Sequence, residues 1–243
     1  MILLLDIGNT RSKYVTSTSD VLSAIQYIDT ALITKEWLST HVPELEQCVI
    51  ANVNQKAISA KISQWCQDHG IICQVLESEH EKFGVKCAYQ NPKFYGVDRW
   101  LALLGAQVLF PQKACLIIDS GTATTLDVIS ADGEHLGGWI LSGIDLLTTS
   151  ILANTQNIIA QPQNVKRLEF ANNSSDAISQ APWAATIGMI HHAIAIINSD
   201  YGIGENELEL VLTGGNSQQL SELFSQPCTV VENLIFIGMQ RYT

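Results

Sequence analysis

The sequence is short of positive charge. It has 13 lysines and arginines against 24 aspartates and glutamates in 243 residues, a net charge of −11. A nucleic-acid surface needs a basic stripe, so this balance argues against a nucleic-acid partner. It does not exclude a small anionic substrate, because a few well-placed donors suffice locally. Long apolar runs are also missing: none approaches the roughly 20 residues that a bilayer requires, so we expect no membrane span.

The sequence also lacks the marks of secretion. Its first residues, MILLLDIGN, have no cationic lead and meet a charge at Asp6, which indicates a strand and not a signal peptide. The six cysteines show no CxxC and no paired spacing, which is typical of reduced thiols and not of a disulfide framework or a metal cluster. These features predict a cytoplasmic protein. Apolar residues make up 47 % of the chain, enough for one large core or two smaller ones.

A repeat is the most informative feature that is present. Residues 3–18 read LLLDIGNTRSKYVTST and residues 116–131 read LIIDSGTATTLDVISA. Each is an apolar run, an Asp-x-Gly turn with a hydroxyl residue, and a returning β-prone run, which predicts a hairpin. Such a turn offers N–H groups to an anion, with a carboxylate beside it for a metal ion. We therefore expect a phosphate site clamped between two related domains, 1–113 and 114–243, with a C-terminal helix crossing back.

The first hairpin carries several candidate phosphate ligands. Gly8 permits close approach of the backbone to a phosphate. Asn9 and Thr10 offer side-chain donors, and Lys13 can neutralise phosphate charge. The alternative is an Asp-Gly-Asn hairpin turn with no ligand. The second hairpin, which begins at Asp119, weakens that alternative.

Two further segments carry candidate chemistry. In YGVDRW, Asp98 and Arg99 follow a turn into a predicted helix, whose first N–H groups favour anions. Asp98 is a candidate general base, and Arg99 a candidate anchor for a carboxylate or phosphate. The alternative is a helix N-terminal carboxylate beside a solvated arginine. The segment 213–217, TGGNS, predicts a strand-to-helix turn that either contacts a nucleotide or only reverses the chain.

The region 177–197 is apolar on more than one helical face. It belongs to a long predicted helix over 176–199, interrupted near Pro182. A two-layer domain covers only one face of such a helix, so the remaining face indicates a partner, most simply a second copy of the chain. The alternative is a fully buried central helix in a monomer.

Five segments together resemble a known family: DIGNTRSK, YGVDRW, IIDSGTATT, GGWILSG and LTGGNS. In order and spacing they resemble the type III pantothenate kinases, within the actin, Hsp70 and sugar-kinase superfamily, and the resemblance spans nearly the whole chain. It implies an α/β fold of two duplicated ribonuclease-H-like (actin-like ATPase) domains, with mixed sheets flanked by helices and ATP between them. It also implies ATP-dependent phosphorylation of pantothenate to 4′-phosphopantothenate, the first step of coenzyme A biosynthesis.

The resemblance implies a role for each matched residue. Asp98 is the expected base at the pantothenate hydroxyl, and Asp119 the expected ligand of a monovalent cation, K⁺ or NH₄⁺. Mg²⁺ is the expected ion at the phosphates, organised by Asp6 through water. The expected ATP-binding residues are Asp6, Ile7, Gly8, Asn9, Thr10, Arg11, Ser12, Lys13 and Thr122. The expected pantothenate-binding residues are Tyr89, Gly96, Val97, Asp98, Arg99 and Ser174. The family forms homodimers, with the pocket near the subunit interface.

The chain departs from the family pattern in places. Ser142 stands where a proline usually precedes Gly143, and Ser174 replaces a threonine but keeps the hydroxyl. Two other functions stay open: a nucleotide-regulated accessory factor that lost turnover, and a kinase of another small hydroxylated substrate. The presence of all three carboxylates, Asp6, Asp98 and Asp119, favours the enzyme.

Overall fold

The computed structural model describes residues 1–9, 11–19, 21–52, 56–155 and 160–243. Thr10, one of the expected ATP ligands, lies outside the described residues. The chain divides into two compact units: Met1–Leu109 with Asn233–Thr243, and Phe110–Glu232. The expected division at 113/114 therefore stays a prediction, and the contacts assign residues 233–243 to the first unit.

The first unit begins with a hairpin and continues as alternating strands and helices. Its elements are β1 (Ile2–Ile7), β2 (Arg11–Thr18), β3 (Val21–Leu22), β4 (Gln26–Asp29), α1 (Lys35–His41), β5 (Gln47–Asn52), α2 (Lys56–Asp68), β6 (Ile72–Val75), β7 (Glu81–Lys82), β8 (Val85–Lys86) and α3 (Val97–Leu109). The main sheet has the order β3-β2-β1-β5-β6, and β4 also pairs with β2. Strand β1 is antiparallel to β2 and parallel to β5, so the sheet is mixed.

Alternation along β1 positions its hairpin. Leu3, Leu5 and Ile7 share one face and are fully buried in a core with α1 and α2. Asp6, between two of them, is only partly buried. The apolar face thus fixes the register of β1, and the carboxylate comes to the sheet end beside the turn.

The second unit repeats this arrangement. Its elements are β9 (Ala114–Ser120), β10 (Ala123–Ile129), β11 (His135–Ser142), α4 (Ile144–Asn154), α5 (Ser174–Tyr201), β12 (Leu208–Thr213), α6 (Ser217–Leu223) and β13 (Thr229–Val230); α7 (Leu234–Gln240) returns to the first unit. The sheet order is β11-β10-β9-β12-β13. Strand β9 is antiparallel to β10 and parallel to β12, as β1 is to β2 and β5.

Helix α5 corrects one expectation. It runs unbroken from Ser174 to Tyr201 with Pro182 inside it, so the predicted interruption near Pro182 is wrong. Proline removes one helical hydrogen bond, but its φ is helical, and burial of Ile178 and Trp183 on either side offsets the loss. Among the described residues, no helix combines the length and the apolar character needed to cross a bilayer.

Candidate active site

The turn of the first hairpin is shaped around Gly8. A Cβ on Gly8 would collide with the carbonyl oxygen of Arg11, so the turn accepts only glycine here without rearrangement. The Thr30 hydroxyl donates to the Gly8 carbonyl oxygen at 3.0 Å, and it also pairs with the buried Ser12 hydroxyl at 2.8 Å. Ser12, an expected ATP ligand, thus braces the turn from inside the unit.

Charged side chains flank this turn. Asp6 and Lys13 stand directly opposite each other on β1 and β2, so a carboxylate and an ammonium share one face of the sheet beside the turn. Asn9 is exposed, and the exposed Arg11 places its guanidinium 4.6 Å from the centre of the Tyr27 ring. The hairpin therefore offers a glycine turn, an amide and two cationic side chains to an anion.

The N-terminus of α3 holds Asp98 close to the backbone. Asp98 Oδ1 accepts a hydrogen bond from the Arg99 N–H at 2.9 Å, and the residue is partly buried. A Cβ on Gly96 would approach the same oxygen to 2.5 Å, so glycine at this position makes room for the carboxylate. The carboxylate is thus fixed at the N-terminus of α3 by a backbone N–H of the first turn.

Arg99 is buried among tyrosines, with 6 % of its surface exposed. Its guanidinium lies 4.7 Å from the centre of the Tyr95 ring, and its Nη1 donates to the Tyr89 hydroxyl at 3.3 Å. The two tyrosine rings are 4.9 Å apart, and Val97 beside them is buried. The structure therefore brings Tyr89, Val97, Asp98 and Arg99 together, and Tyr95 supports the arginine through a cation–π contact.

Helix α3 is fixed by α7, the C-terminal helix that the sequence predicted to cross back; its close packing on α3 was not predicted. A Cβ on Gly105 would collide with the Leu234 carbonyl oxygen, and one on Gly238 with the Leu101 carbonyl oxygen, so the two glycines allow very close packing. Tyr242 follows α7; its hydroxyl accepts from Trp100 Nε1 at 3.0 Å and donates to Glu79 at 3.1 Å. The sequence signal for this close packing was one glycine in each of two apolar helices, Gly105 in α3 and Gly238 in α7.

The second hairpin surrounds Asp119 with glycines and carbonyl oxygens. Gly214 has a φ of +87°, and a Cβ there would collide with Asp119 Oδ1 and lie 2.6 Å from the Ser120 carbonyl oxygen. A Cβ on Gly143 would likewise collide with the Gly121 carbonyl oxygen and lie 2.5 Å from that of Thr122. The two glycines thus let the backbone pack closely against one carboxylate and three backbone oxygens, and such oxygens are the donors that a hard cation takes.

The two remaining expected residues of the second unit, Thr122 and Ser174, and the departure at Ser142 lie on three different segments. Thr122 is exposed in the hairpin turn, and its carbonyl oxygen accepts from the Gly143 N–H at 3.0 Å. Ser142 ends β11, and Gly143 caps α4 without strain, so the serine in place of the usual proline does not disturb this turn. Ser174 is exposed at the first residue of α5, whose N-cap is Asn173.

Comparisons with known proteins agree with this picture. Residues 2–196 match the family model described as type III pantothenate kinase. A curated relative of that name from Colwellia psychrerythraea is 39 % identical over 252 residues, covering 100 % of both chains. The ethanolamine utilization protein EutJ from Carboxydothermus hydrogenoformans has a TM-score of 0.53 at 12 % identity, covering 99 % of this chain and 89 % of that one.

A fourth similarity is to the activator of the 2-hydroxyisocaproyl-CoA dehydratase from Clostridium difficile, solved with bound ADPNP. Its TM-score is 0.50 at 12 % identity, over 99 % of this chain and 93 % of that one. At 12 % identity, the two solved structures show a similarity of fold and nothing more. Together with the two mixed sheets flanked by helices, they confirm the expected actin-like α/β fold class.

Proposed function

The chain belongs to the type III pantothenate kinase family, and on that premise we propose which of its residues bind the substrates and which one acts as the base. As a member, it transfers a phosphoryl group from ATP to pantothenate in the first step of coenzyme A biosynthesis. Phosphoryl transfer depends mainly on in-line positioning and on neutralisation of charge, so each residue below is assigned one of these tasks.

The first task is to hold the ATP phosphates. Residues 6–13 form the phosphate loop of the first unit in this proposal, with the backbone around Gly8 facing the phosphates and Lys13 offsetting their charge. Ser12 acts indirectly, because its hydroxyl is engaged with Thr30. The second unit contributes Thr122, whose exposed side chain is available to a phosphate oxygen.

The second task is to hold cations. Asp6, at the end of β1, would hold Mg²⁺ through water, and that ion supplies positive charge to the phosphates when bound. Asp119 and the neighbouring carbonyl oxygens would hold K⁺ or NH₄⁺, which adds a further positive charge. The observation that supports the second assignment is the close approach of Gly214 and the Ser120 carbonyl oxygen at the Asp119 carboxylate.

The third task is to position pantothenate and receive its proton. Asp98 Oδ1 is held by the Arg99 N–H, and we propose that Oδ2 accepts the hydrogen bond of the reacting hydroxyl and takes its proton late in transfer. Tyr89, Gly96, Val97 and Arg99 line the substrate pocket in this proposal, and Ser174 contributes a hydroxyl. The single observation that carries the proposal is the clustering of Tyr89, Asp98 and Arg99 at the start of α3.

The direct experiment is Asp98→Asn. Asparagine keeps an oxygen for the Arg99 N–H but cannot accept the proton, so kcat should fall roughly 100- to 10,000-fold while pantothenate binding is nearly kept. The measurement is kcat by coupled ADP release and pantothenate affinity by calorimetry. Glu36→Gln is the matched control, because it removes a first-turn carboxylate from α1 of the same unit. Turnover of Asp98→Asn near the parent rate at saturating substrate would refute the assignment.

We also propose that the enzyme is a homodimer and works in the cytoplasm. Beside the buried face of α5 lies an open apolar groove lined by Leu168, Phe170, Ala177, Ala181 and Ala184. Phe170 is fully exposed, which is unusual for so large an apolar side chain. We propose that a second copy of the chain covers this groove, because two-fold dimers are the commonest oligomers. None of the six cysteines, all of which lie in the described residues, forms a disulfide, which fits the reducing cytoplasm.

Light scattering at micromolar concentration should report about twice the 26.6 kDa chain mass. Phe170→Glu should weaken association without unfolding the unit, because this side chain lies outside the core. The apolar stretch 177–197 also contains Ile194, but that residue is buried in the core of its own unit, so a charge there would report folding and not association. Ile72→Glu, an exposed apolar position in the first unit, is the control. A monomeric parent with full kinase activity would overturn the proposal.

A further inference from the structure

Three cysteines of the first unit lie together, although their spacing in the sequence does not indicate it. Cys48 is on β5, Cys66 on α2 and Cys73 on β6, and their sulfur atoms all lie within 4.8 Å of one another. Cys48 and Cys73 are direct neighbours in the parallel pairing of β5 with β6. Helix α2 packs on that face and brings Cys66 to the pair. Two adjacent strands and a helix thus fix all three sulfurs, which we call the thiol triad.

The surroundings of the thiol triad separate one accessible sulfur from two enclosed ones. Cys48 and Cys66 are fully buried among the apolar side chains of the first core. Cys73 is half-buried on β6, the edge strand of the sheet, so an ion can reach the triad from that side. The Ser63 hydroxyl lies 3.5 Å from the Cys73 sulfur. The site is therefore dry and sulfur-lined, and it opens at one corner.

The sulfur spacing is close to that of a three-coordinate metal ion. A metal–sulfur bond of about 2.3 Å places three sulfurs of a trigonal site roughly 4 Å apart, so movements of less than about 1 Å close the triad around an ion. Thiolates select soft ions such as Cu(I) and Zn²⁺. Structural zinc sites have four ligands, whereas the triad supplies three. Within the described part of the chain, no histidine or carboxylate joins the triad as a fourth ligand. Three sulfur ligands in a dry site therefore favour Cu(I), which is monovalent, over Zn²⁺.

We infer that Cys48, Cys66 and Cys73 form a soft-metal site that takes one Cu(I) ion. Each sulfur that ligates the ion releases its proton to water, and no electron is transferred when copper arrives already reduced. None of the three cysteines belongs to the proposed substrate sites, so the inference is independent of the proposed function.

Metal binding would join β5, β6 and α2. Cys48 pairs with Leu3 on β1, and three residues further along the same two strands Ala51 pairs with Asp6. An ion at the triad would therefore stabilise the sheet that carries the first phosphate loop without touching the loop itself. The expected readouts are binding and thermal stability, since anything that binds only the folded state raises its melting temperature.

The experiment is an anaerobic titration of the full chain with Cu(I), kept reduced by ascorbate, against a chromophoric Cu(I) chelator. We expect one ion per chain, an ultraviolet thiolate-to-copper absorption band and a higher melting temperature. Cys73→Ser should abolish all three effects, while Cys228→Ser, a half-buried cysteine of the second unit, should keep them. Circular dichroism of each apo variant establishes that it is folded.

A second measurement needs no variant. In the parent chain, Cu(I) should protect Cys73 from alkylation by iodoacetamide, while the alkylation of Cys228 is unchanged, as read by peptide mass spectrometry. The inference is overturned if Cys73→Ser binds copper as the parent does, or if Cu(I) protects both cysteines equally. It is also overturned if the triad prefers Zn²⁺ to Cu(I) in a matched competition.

Discussion

The two Asp-x-Gly hairpins begin from nearly the same sequence, but their surroundings differ. In the first hairpin, Asp6 stands opposite Lys13, and the buried Thr30 hydroxyl holds the Gly8 carbonyl from within the unit. In the second hairpin, Asp119 stands opposite Thr125 on β10 and Thr213 on β12. One carboxylate therefore has a cationic side chain as its neighbour, and the other has hydroxyl residues.

The glycines beside the two hairpins also contact different groups. Gly8 only permits a tight turn, because its absent Cβ would meet the backbone of Arg11. Gly214 and Gly143 instead let the backbone pack closely on the Asp119 carboxylate and on the carbonyl oxygens that follow it. A repeated motif has thus been placed in two environments, and we infer that the first binds anionic phosphate while the second binds a cation. The predictions below test that division of roles.

The largest effect is expected at Gly214. Gly214→Ala forces a Cβ onto the Asp119 carboxylate and the Ser120 carbonyl, and it also strains a backbone with a φ of +87°. We expect activity to fall about 100-fold or more, because misplacement of the site by about 1 Å has that consequence. The activation ratio between K⁺ and Na⁺ should fall with it. Coupled ADP release in matched buffers measures both.

Gly202→Ala is the matched control for Gly214→Ala. Gly202 has a φ of +68° at the end of α5, and a Cβ there meets nothing within 4 Å. Both variants should lose about 1–3 kcal/mol of unfolding free energy through backbone strain. Only Gly214→Ala should lose the response to K⁺. Equal kinetic damage in the two variants would mean that backbone strain, and not the contact with Asp119, is responsible.

A smaller effect is expected at Lys13. Lys13→Met keeps most of the unbranched side chain but removes the charge beside the first turn, so the KM for ATP should rise roughly 10- to 100-fold, as expected for a charged contact. The ratio of rates in K⁺ and Na⁺ should not change, because the second hairpin is intact. Lys61→Met, exposed on α2, is the control. An unchanged KM for ATP would remove Lys13 from the phosphate site.

The sequence predicted the features that depend on local pattern. Both hairpins follow from an apolar run and an Asp-x-Gly turn, and the start of α3 follows from the turn before Asp98. Contacts between distant segments were not predictable in this way. The close packing of Gly105 on α7 and the meeting of Cys48, Cys66 and Cys73 depend on how helices settle on the sheets. Pro182 was misjudged because local rules ignore the packing that stabilises α5 on both sides of it.

The division of roles between the two hairpins is tested most directly by the cation response of two matched variants. Initial rates of the parent, Asp6→Asn and Asp119→Asn would be measured in Na⁺, K⁺ and NH₄⁺ buffers of equal ionic strength, over a range of Mg²⁺. We predict that Asp119→Asn loses the preference for K⁺ or NH₄⁺, while Asp6→Asn keeps that preference and requires more Mg²⁺. Equal rates of the parent in all three buffers, or the same loss of preference in both variants, would contradict the account.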